Sequence, residues 1–315
     1  MLKTMSDIED QVETSMIASP SKPANYQTTG SLLAGSLAAA ASKTATAPLS
    51  RLTILFQIQA ATATSIDKGS SLVSALRQVV AREGFRSLWK GNGVSVLHKF
   101  PYGGLNYFAY EQTKVNLQPF WSSESDPGVL VRFISGFAGG SLASSVTYPL
   151  DTLRTRLAAS TSARPQLIPL MTTIVKTEGI GSLYNGLLTT LMCQGSNIAI
   201  NFAIYETLQR KMLRSAETNK QRTSWLSSLA CGGVAGTIAS VFVFPLDLVR
   251  RRQQIAGQRR PALTVARAIF ASEGFRGFYR GIVPELAKVV PAVSINFYVY
   301  ELVRQEILGL HIAPR

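Results

Sequence analysis

The chain has 315 residues, 46% hydrophobic and 16% charged, yet its formal net charge is +14. So few charges with so large an imbalance argue against an ordinary soluble domain. The lysines and arginines are scattered among apolar stretches, not gathered into the basic face or arm that nucleic-acid binding needs.

Residues 1–27 set Lys3 and Lys22 against Asp7, Glu9, Asp10 and Glu13. This acidic, arginine-free segment fits neither a secretory signal nor an amphipathic transit peptide and reads as a disordered tail. Nothing in it resembles a calcium-binding loop. Beyond it the sequence repeats. REGFRSLWKG (82–91), TEGIGSLYNG (177–186) and SEGFRGFYRG (272–281) place Glu83, Glu178 and Glu273 at intervals of 95 residues. A fixed period dictates the architecture. Before each phrase lies an apolar stretch interrupted by proline: TATAPLSRLTILFQ (44–57), VTYPLDTLRTRLA (146–158) and FVFPLDLVRRRQQ (242–254). After each comes a second stretch ending in Tyr-Glu: GLNYFAYEQTK, IAINFAIYETLQ and SINFYVYELVR.

Each repeat is therefore a long helix, a loop with a short helix, and a second long helix. About 20 apolar residues suffice to cross a bilayer core of ~30 Å. The expected spans are 28–58, 92–116, 128–158, 187–211, 224–255 and 282–308. The fold class is an all-α membrane protein of six transmembrane helices in three tandem pseudo-threefold repeats (28–117, 118–220 and 221–310). Small residues four apart, Gly35 with Ala39, Gly136 with Gly140 and Gly232 with Gly236, predict close helix packing. Leu72, Ala75, Leu76, Val79 and Val80 fall at helical spacing, as do Leu167, Leu170, Met171, Ile174 and Val175. These short helices lie along one membrane face, and the Glu-Gly glycine stops each of them in a left-handed conformation. Basic residues in the odd-to-even connections put those connections on the positive-retaining side and both termini opposite.

Charges inside the spans carry the function. Asp151 with Arg154 and Asp247 with Arg250 share helix faces just after Pro149 and Pro245. Ionisable groups in a span face partners or a water-filled cavity. Tyr-Glu recurs with Lys114, Gln209 and Arg304 three residues beyond Glu111, Glu206 and Glu301. Two polar rings at opposite ends of a six-helix bundle look like two gates. Cys193 and Cys231 indicate no disulfide framework, His98 and His311 no metal site, and no P-loop, clustered acid–base set or Ser-His pair points to an enzyme.

With these motifs in order over residues 28–309, the chain resembles the mitochondrial carrier family. That family repeats Pro-x-Asp/Glu-x-x-Lys/Arg, then Glu-Gly-x-x-x-x-aromatic-Lys/Arg-Gly, then Tyr/Phe-Asp/Glu-x-x-Lys/Arg. The resemblance implies a monomeric inner-membrane transporter with one central site, alternating access, a short matrix helix in each repeat and both termini on the intermembrane-space side. It implies no cofactor beyond structural cardiolipin, held at Gly91, Gly186 and Gly281. Its matrix gate maps onto Ser50, Thr53, Gln57, Asp151, Arg154, Asp247, Arg250 and Gln254. By its cyclic pairing Asp151 meets Arg250, while the first repeat departs from the pattern: Ser50 meets Arg154 and Thr53 meets Asp247 as charge-assisted hydrogen bonds. Gln57 and Gln254 match its glutamine brace. Its cytoplasmic gate maps onto Glu111, Lys114, Glu206, Gln209, Glu301 and Arg304, with Glu206 to Arg304, Glu301 to Lys114 and Glu111 to Gln209. Substrate contacts fall on His98, Cys193, Gln194 and Lys288, with Lys99 beside the first and Lys43 facing the cavity.

TAPLSRLTILFQ, GNGVSVLHKFPYGGLNYFAYE and VVPAVSINFYVYE are most similar to the branch handling adenine nucleotides, coenzyme A and related phosphorylated anions. RRRQQI (250–255) differs from the RRRMMM of the principal ADP/ATP exchanger. Cys193-Gln194 departs from the Gly-aliphatic pair that accommodates adenine, and His98 replaces a common Arg or Lys. The alternatives are a carrier of thiamine diphosphate or of an amino or keto acid, and a degenerate member that does not transport.

Overall fold

The computed structural model describes residues 26–59, 71–117, 129–160, 162, 166–219 and 225–308, which contain helices and turns and no strand. The tail at 1–25 lies outside them. Twelve segments follow in chain order: α1 Tyr26–Ile58, α2 Leu72–Glu83, a 3-10 turn Phe85–Trp89, α3 Asn92–Leu117, α4 Val129–Ala159, α5 Leu167–Glu178, a 3-10 turn Ile180–Tyr184, α6 Leu187–Asn219, α7 Trp225–Ile255, α8 Ala262–Gly277, α9 Ile282–Ala287 and α10 Val289–Leu308. Among the described residues, Ile180–Met212, Cys231–Ile255 and Ile282–Glu306 are long and apolar enough to cross a membrane. Helices α1, α3 and α4 also reach spanning length, at 33, 26 and 31 residues. The sixth expected span is two helices, α9 and α10, meeting at Lys288. Pro291 supplies the reason: it has no N–H for the Ala287 carbonyl, and its ring crowds that group.

The chain divides into two compact units, one of residues 42–294 and one of residues 1–41 with 295–315. In the smaller unit Ala34 and Ala38 are fully buried. In the larger, Ser135, Gly139 and Ala143 form a buried stripe on α4, and Cys231, Ala235 and Ala239 form one on α7. The packing stripes on α1 and α7 therefore run one residue before the expected pairs, whereas on α4 Gly140 of the expected pair is itself buried beside Gly139. A Cβ on Gly136, Gly232 or Gly236 would meet nothing, whereas one on Gly139 would stand 2.7 Å from the Asn106 carbonyl of α3.

The short helices bury their apolar faces against their own repeat. Ala75 and Val79 of α2 pack with Leu52, Leu55 and Leu88. Ile174 of α5 packs with Leu153 and Leu183, and Val265 and Ile269 of α8 with Phe244, Leu248 and Val249. Met171, expected on the buried stripe, is 44% exposed. Ser71 caps α2 by accepting the Ser74 N–H at 3.2 Å. After each helix, Gly84, Gly179 and Gly274 take positive φ with ψ of 161°, 162° and −166°. That is the extended region reserved for glycine, not the left-handed helical one, so the chain turns away at once. In the first repeat the returning turn also repairs a proline defect. Pro48 cannot bond the Thr44 carbonyl, which accepts the Trp89 indole N–H at 2.9 Å instead.

Gly91, Gly186 and Gly281 also have positive φ, of 80°, 88° and 86°. A Cβ there would lie 2.9 Å from the Arg154 carbonyl, 3.2 Å from that of Arg250 and 3.0 Å from that of Thr53. These three carbonyls each follow a repeat's proline by five residues. Each turn thus presses against the odd helix of the next repeat, in cyclic order. Gly186→Ala should destabilise the protein by about 1–3 kcal/mol, through strain and contact together. Gly181→Ala, whose Cβ would meet nothing within 4 Å, should leave the melting temperature almost unchanged.

Candidate functional site

The helix segments after Pro48, Pro149 and Pro245 converge in the larger unit. Arg250 donates to Asp151, whose other contacts are the Gln254 amide at 2.8 Å and Arg154 on its own helix at 3.9 Å. Gln254 accepts from Thr155 at 2.8 Å and donates to the Tyr148 hydroxyl at 3.3 Å, so the brace is fully engaged. The first repeat behaves differently from its reading by analogy. The Thr53 hydroxyl donates to the Leu49 carbonyl of its own helix at 3.1 Å, and no bond joins Ser50 to Arg154. Asp247 is held by Gln57 at 3.4 Å, Arg250 at 3.4 Å and Arg251 at 3.1 Å. Gln57, four residues beyond Thr53 and on the same helical face, therefore does what a base at 53 would have done. Arg251 was missed because it lies outside the Pro-x-Asp-x-x-Arg spacing.

A second set of contacts lies farther toward the ends of the same helices. Arg51, Arg156 and Arg252 pair with Glu83, Glu178 and Glu273 of their own repeats, at 2.6, 2.8 and 2.6 Å. Each arginine also donates its Nε to the next repeat: Arg51 to the Ala158 carbonyl at 3.2 Å, Arg156 to that of Gln254 at 2.8 Å, and Arg252 to that of Gln57 at 3.0 Å. These carbonyls stand nine residues after their prolines and would otherwise be orphaned at a helix C-terminus. Arg156 and Arg252 occupy matching positions. Repeat 1 has Leu55 there and uses Arg51, one turn earlier on the same face. Lys90 and Arg280 add a second cation to Glu83 and Glu273.

The expected substrate contacts gather beside this region. Lys43 is within electrostatic reach of Lys99, Arg154, Lys288 and Asp151, and His98 of the same Asp151 and Arg154. Cys193 is buried within reach of Asp247 and Arg250. Gln194 donates to the Ser144 hydroxyl at 2.5 Å and keeps a buried Oε1 without a partner. His98 stacks on Tyr102 with centroids 5.5 Å apart, and Lys99 lies 5.8 Å over the same ring. Lys288, at the break between α9 and α10, pairs with Glu285 at 2.6 Å, an acid the motif spacing did not flag. Lys43, Lys99, Lys288, Arg154, Arg250 and Arg251 outnumber Asp151, Asp247 and Glu285 two to one. Such an excess of converging cations favours an anion.

The other ring is not assembled in the larger unit. Glu111 Oε1 is buried without a partner, and no bond joins it to Gln209. Lys114 lies 5.9 Å over the Tyr110 ring, and Glu206 takes Arg210 of its own helix at 2.5 Å. In the smaller unit Glu301 accepts from Gln305 at 3.3 Å, and Arg304 Nε is buried without a partner. No group of three or more potential metal ligands occurs among the described residues.

Three proline-marked helices and three glutamate-arginine clamps define a threefold carrier architecture. Sequence comparison agrees: the mitochondrial carrier protein family matches residues 24–120, 125–216 and 221–310, and the chain belongs to that family. It is 37% identical over 277 residues to a mitochondrial adenyl nucleotide antiporter of Xenopus laevis, covering 86% of this chain and 57% of that one. A calcium-binding mitochondrial carrier protein of Danio rerio is 36% identical over 279 residues, 87% of this chain and 58% of its own. The calcium-dependent mitochondrial ATP-magnesium/phosphate carrier protein 2 of Arabidopsis thaliana is 33% identical over 91% of this chain and 57% of its own. The chain thus spans a little over half the length of these curated relatives.

The clamps are open to direct test. Arg252→Lys keeps a cation for Glu273 but replaces the fork, whose Nε and Nη2 hold the Gln57 carbonyl and Glu273 from two separate nitrogens, with a single nitrogen. It should cost about 1 kcal/mol. Arg252→Met removes both bonds and should cost about 3 kcal/mol or more in thermal unfolding. Glu83 adds a pH signature. Burial raises its carboxyl pKa, but the bonds from Lys90 and Arg51 outweigh this and hold it below the ordinary carboxylate value. Its contribution is complete above the unfolded carboxylate pKa and is lost as pH falls through the lowered folded value. Glu83→Gln should flatten that acid limb of the stability–pH curve.

Proposed function

We propose that the chain is a mitochondrial inner-membrane transporter that moves a phosphorylated anion of the adenine nucleotide or coenzyme A class by alternating access through one central site. The observation that carries this reading is the electrostatic convergence of Lys43, Lys99, Lys288 and the ring arginines. The names of the relatives support the same cargo class. Lys43, His98, Lys99, Cys193, Gln194 and Lys288 are the proposed substrate contacts. The Asp151–Arg250 set is the matrix gate, and the Glu111, Lys114, Glu206, Gln209, Glu301 and Arg304 set the cytoplasmic gate.

In this reading substrate enters while the Asp151–Arg250 ring is closed and competes for its cations. Phosphate oxygens neutralise Lys43 and Lys288, weaken the hold of Arg250 on Asp151, and lower the cost of opening that end. A ligand shifts such an equilibrium only by its differential affinity for the two states. Both termini facing the intermembrane space, a monomeric state, and cardiolipin at the turns around Gly91, Gly186 and Gly281 belong to the same proposal and rest on the family resemblance.

Purified protein in liposomes tests the function directly. Uptake of labelled ATP, ADP, AMP, coenzyme A and thiamine diphosphate should show saturable transport of at least one phosphorylated anion, and none of a neutral amino acid. Lys43→Ala and Lys288→Ala should each abolish transport in a folded protein. Normal kinetics in both variants would remove the site. Cys193→Gly with Gln194→Ile should shift preference towards adenine nucleotides, because it frees the fourth-span contact of its amide and its bond to Ser144.

A further inference from the structure

The three Glu-Gly phrases differ at one position with a structural consequence. Lys90 and Arg280 each precede the closing glycine in their repeats, and each pairs with the phrase's glutamate. Lys90 also donates its Nζ to the Ser160 carbonyl of the next repeat at 3.1 Å. Asn185 stands in the same place in repeat 2. Its Nδ2 donates to the Ala256 carbonyl at 3.3 Å. Ala256 corresponds to Ser160, both eleven residues after their prolines, so the amide reproduces one of the two bonds of the lysine. The other is missing. Asn185 is 3% exposed, and its Oδ1 is buried without a partner. The Ala256 contact sets the amide orientation, because an amide oxygen cannot donate to a carbonyl.

The shortened side chain leaves a cleft of about 610 Å³ lined by residues that include Thr177, Glu178, Ser182, Asn185, Gly257 and Arg259. Its donors are largely committed. Thr177 donates to the Thr173 carbonyl at 2.8 Å and Ser182 to that of Gly179 at 2.9 Å. The hydroxyl oxygens, the Asn185 Oδ1 and the Glu178 carboxylate remain as acceptors. Glu178 holds one cation, Arg156, where Glu83 and Glu273 each hold two. Arg259 is exposed and pairs with no carboxylate among the described residues. Its charge disfavours a dication more than a monocation.

We propose that this cleft binds a primary ammonium or guanidinium group supplied by another molecule, seated where the side chains of Lys90 and Arg280 sit in the sister repeats. The ligand would donate to Glu178 and to Asn185 Oδ1 and restore the second cation that repeat 2 lacks. The site is independent of the central transport site, and binding there stabilises the turn between α5 and α6.

Thermal unfolding of the purified full chain tests this with ethylammonium chloride against tetramethylammonium chloride at equal ionic strength. The two cations share a charge, but only the first has N–H donors. Ethylammonium should raise the melting temperature saturably and tetramethylammonium should not. Asn185→Lys should itself raise the melting temperature by roughly 2–4 °C and abolish the response to ethylammonium. Glu178→Gln should weaken that response about tenfold or more in half-saturating concentration. Equal effects of the two salts on the wild type, or an undiminished ethylammonium response in Asn185→Lys, would overturn the proposal.

Discussion

Three guanidinium groups, two of them buried, organise the larger unit of this protein. Arg51, Arg156 and Arg252 each hold a glutamate of their own repeat with one end and a helix-terminal carbonyl of the next repeat with the other. A helix C-terminus without partners is costly to bury, and a buried glutamate without a cation costs more. One planar side chain with several donors settles both requirements, which an ammonium cannot do with the same geometry. The surface helix, its glycine stop and the return turn in each repeat are arranged to bring that glutamate within reach.

The two rings at the centre and far end depend on this frame. Asp151–Arg250, Gln254 and Gln57 close one end, while Glu111 and the helix-internal Glu206–Arg210 pair leave the other unassembled in the larger unit. The cations of the proposed binding site lie within electrostatic reach of the closed ring, so a bound anion and Asp151 compete for the same charges. In the proposed function, binding and gating share a mechanism through Coulomb interactions.

The repeats and most of the span limits were legible because recurrence at a fixed period survives any uncertainty about side-chain direction. The helix expected over 187–211, however, runs on to Asn219, and the pairing of Glu83, Glu178 and Glu273 with arginines was not foreseen. The Asp151–Arg250 pairing came from resemblance, and the geometry has the two in contact. What spacing did not reveal was substitution along a helix face. Gln57 took the role assigned to Thr53, and Arg51 does one turn earlier what Arg156 and Arg252 do. Long side chains span a turn, so a motif read position by position misses a partner that moves by three or four residues. The packing stripes on α1 and α7 were displaced by one residue because glycine, alanine and serine serve equally well at a close contact, and sequence does not say which face is used. Pro291 marks the junction of α9 and α10 at Lys288 within the continuous sixth span.

The guanidinium-to-carbonyl contacts run in one direction only, from each repeat to the one after it, and from the third back to the first. In the language of assemblies this is a heterologous, head-to-tail interface, closed after three steps within a single polypeptide. Such a ring has no natural end. A piece containing two repeats would expose one unsatisfied guanidinium face and one set of bare carbonyls, a templating surface for a further copy. The threefold count is therefore a condition of solvency for the backbone: closure removes the sticky ends that an open chain of the same units would present to its neighbours.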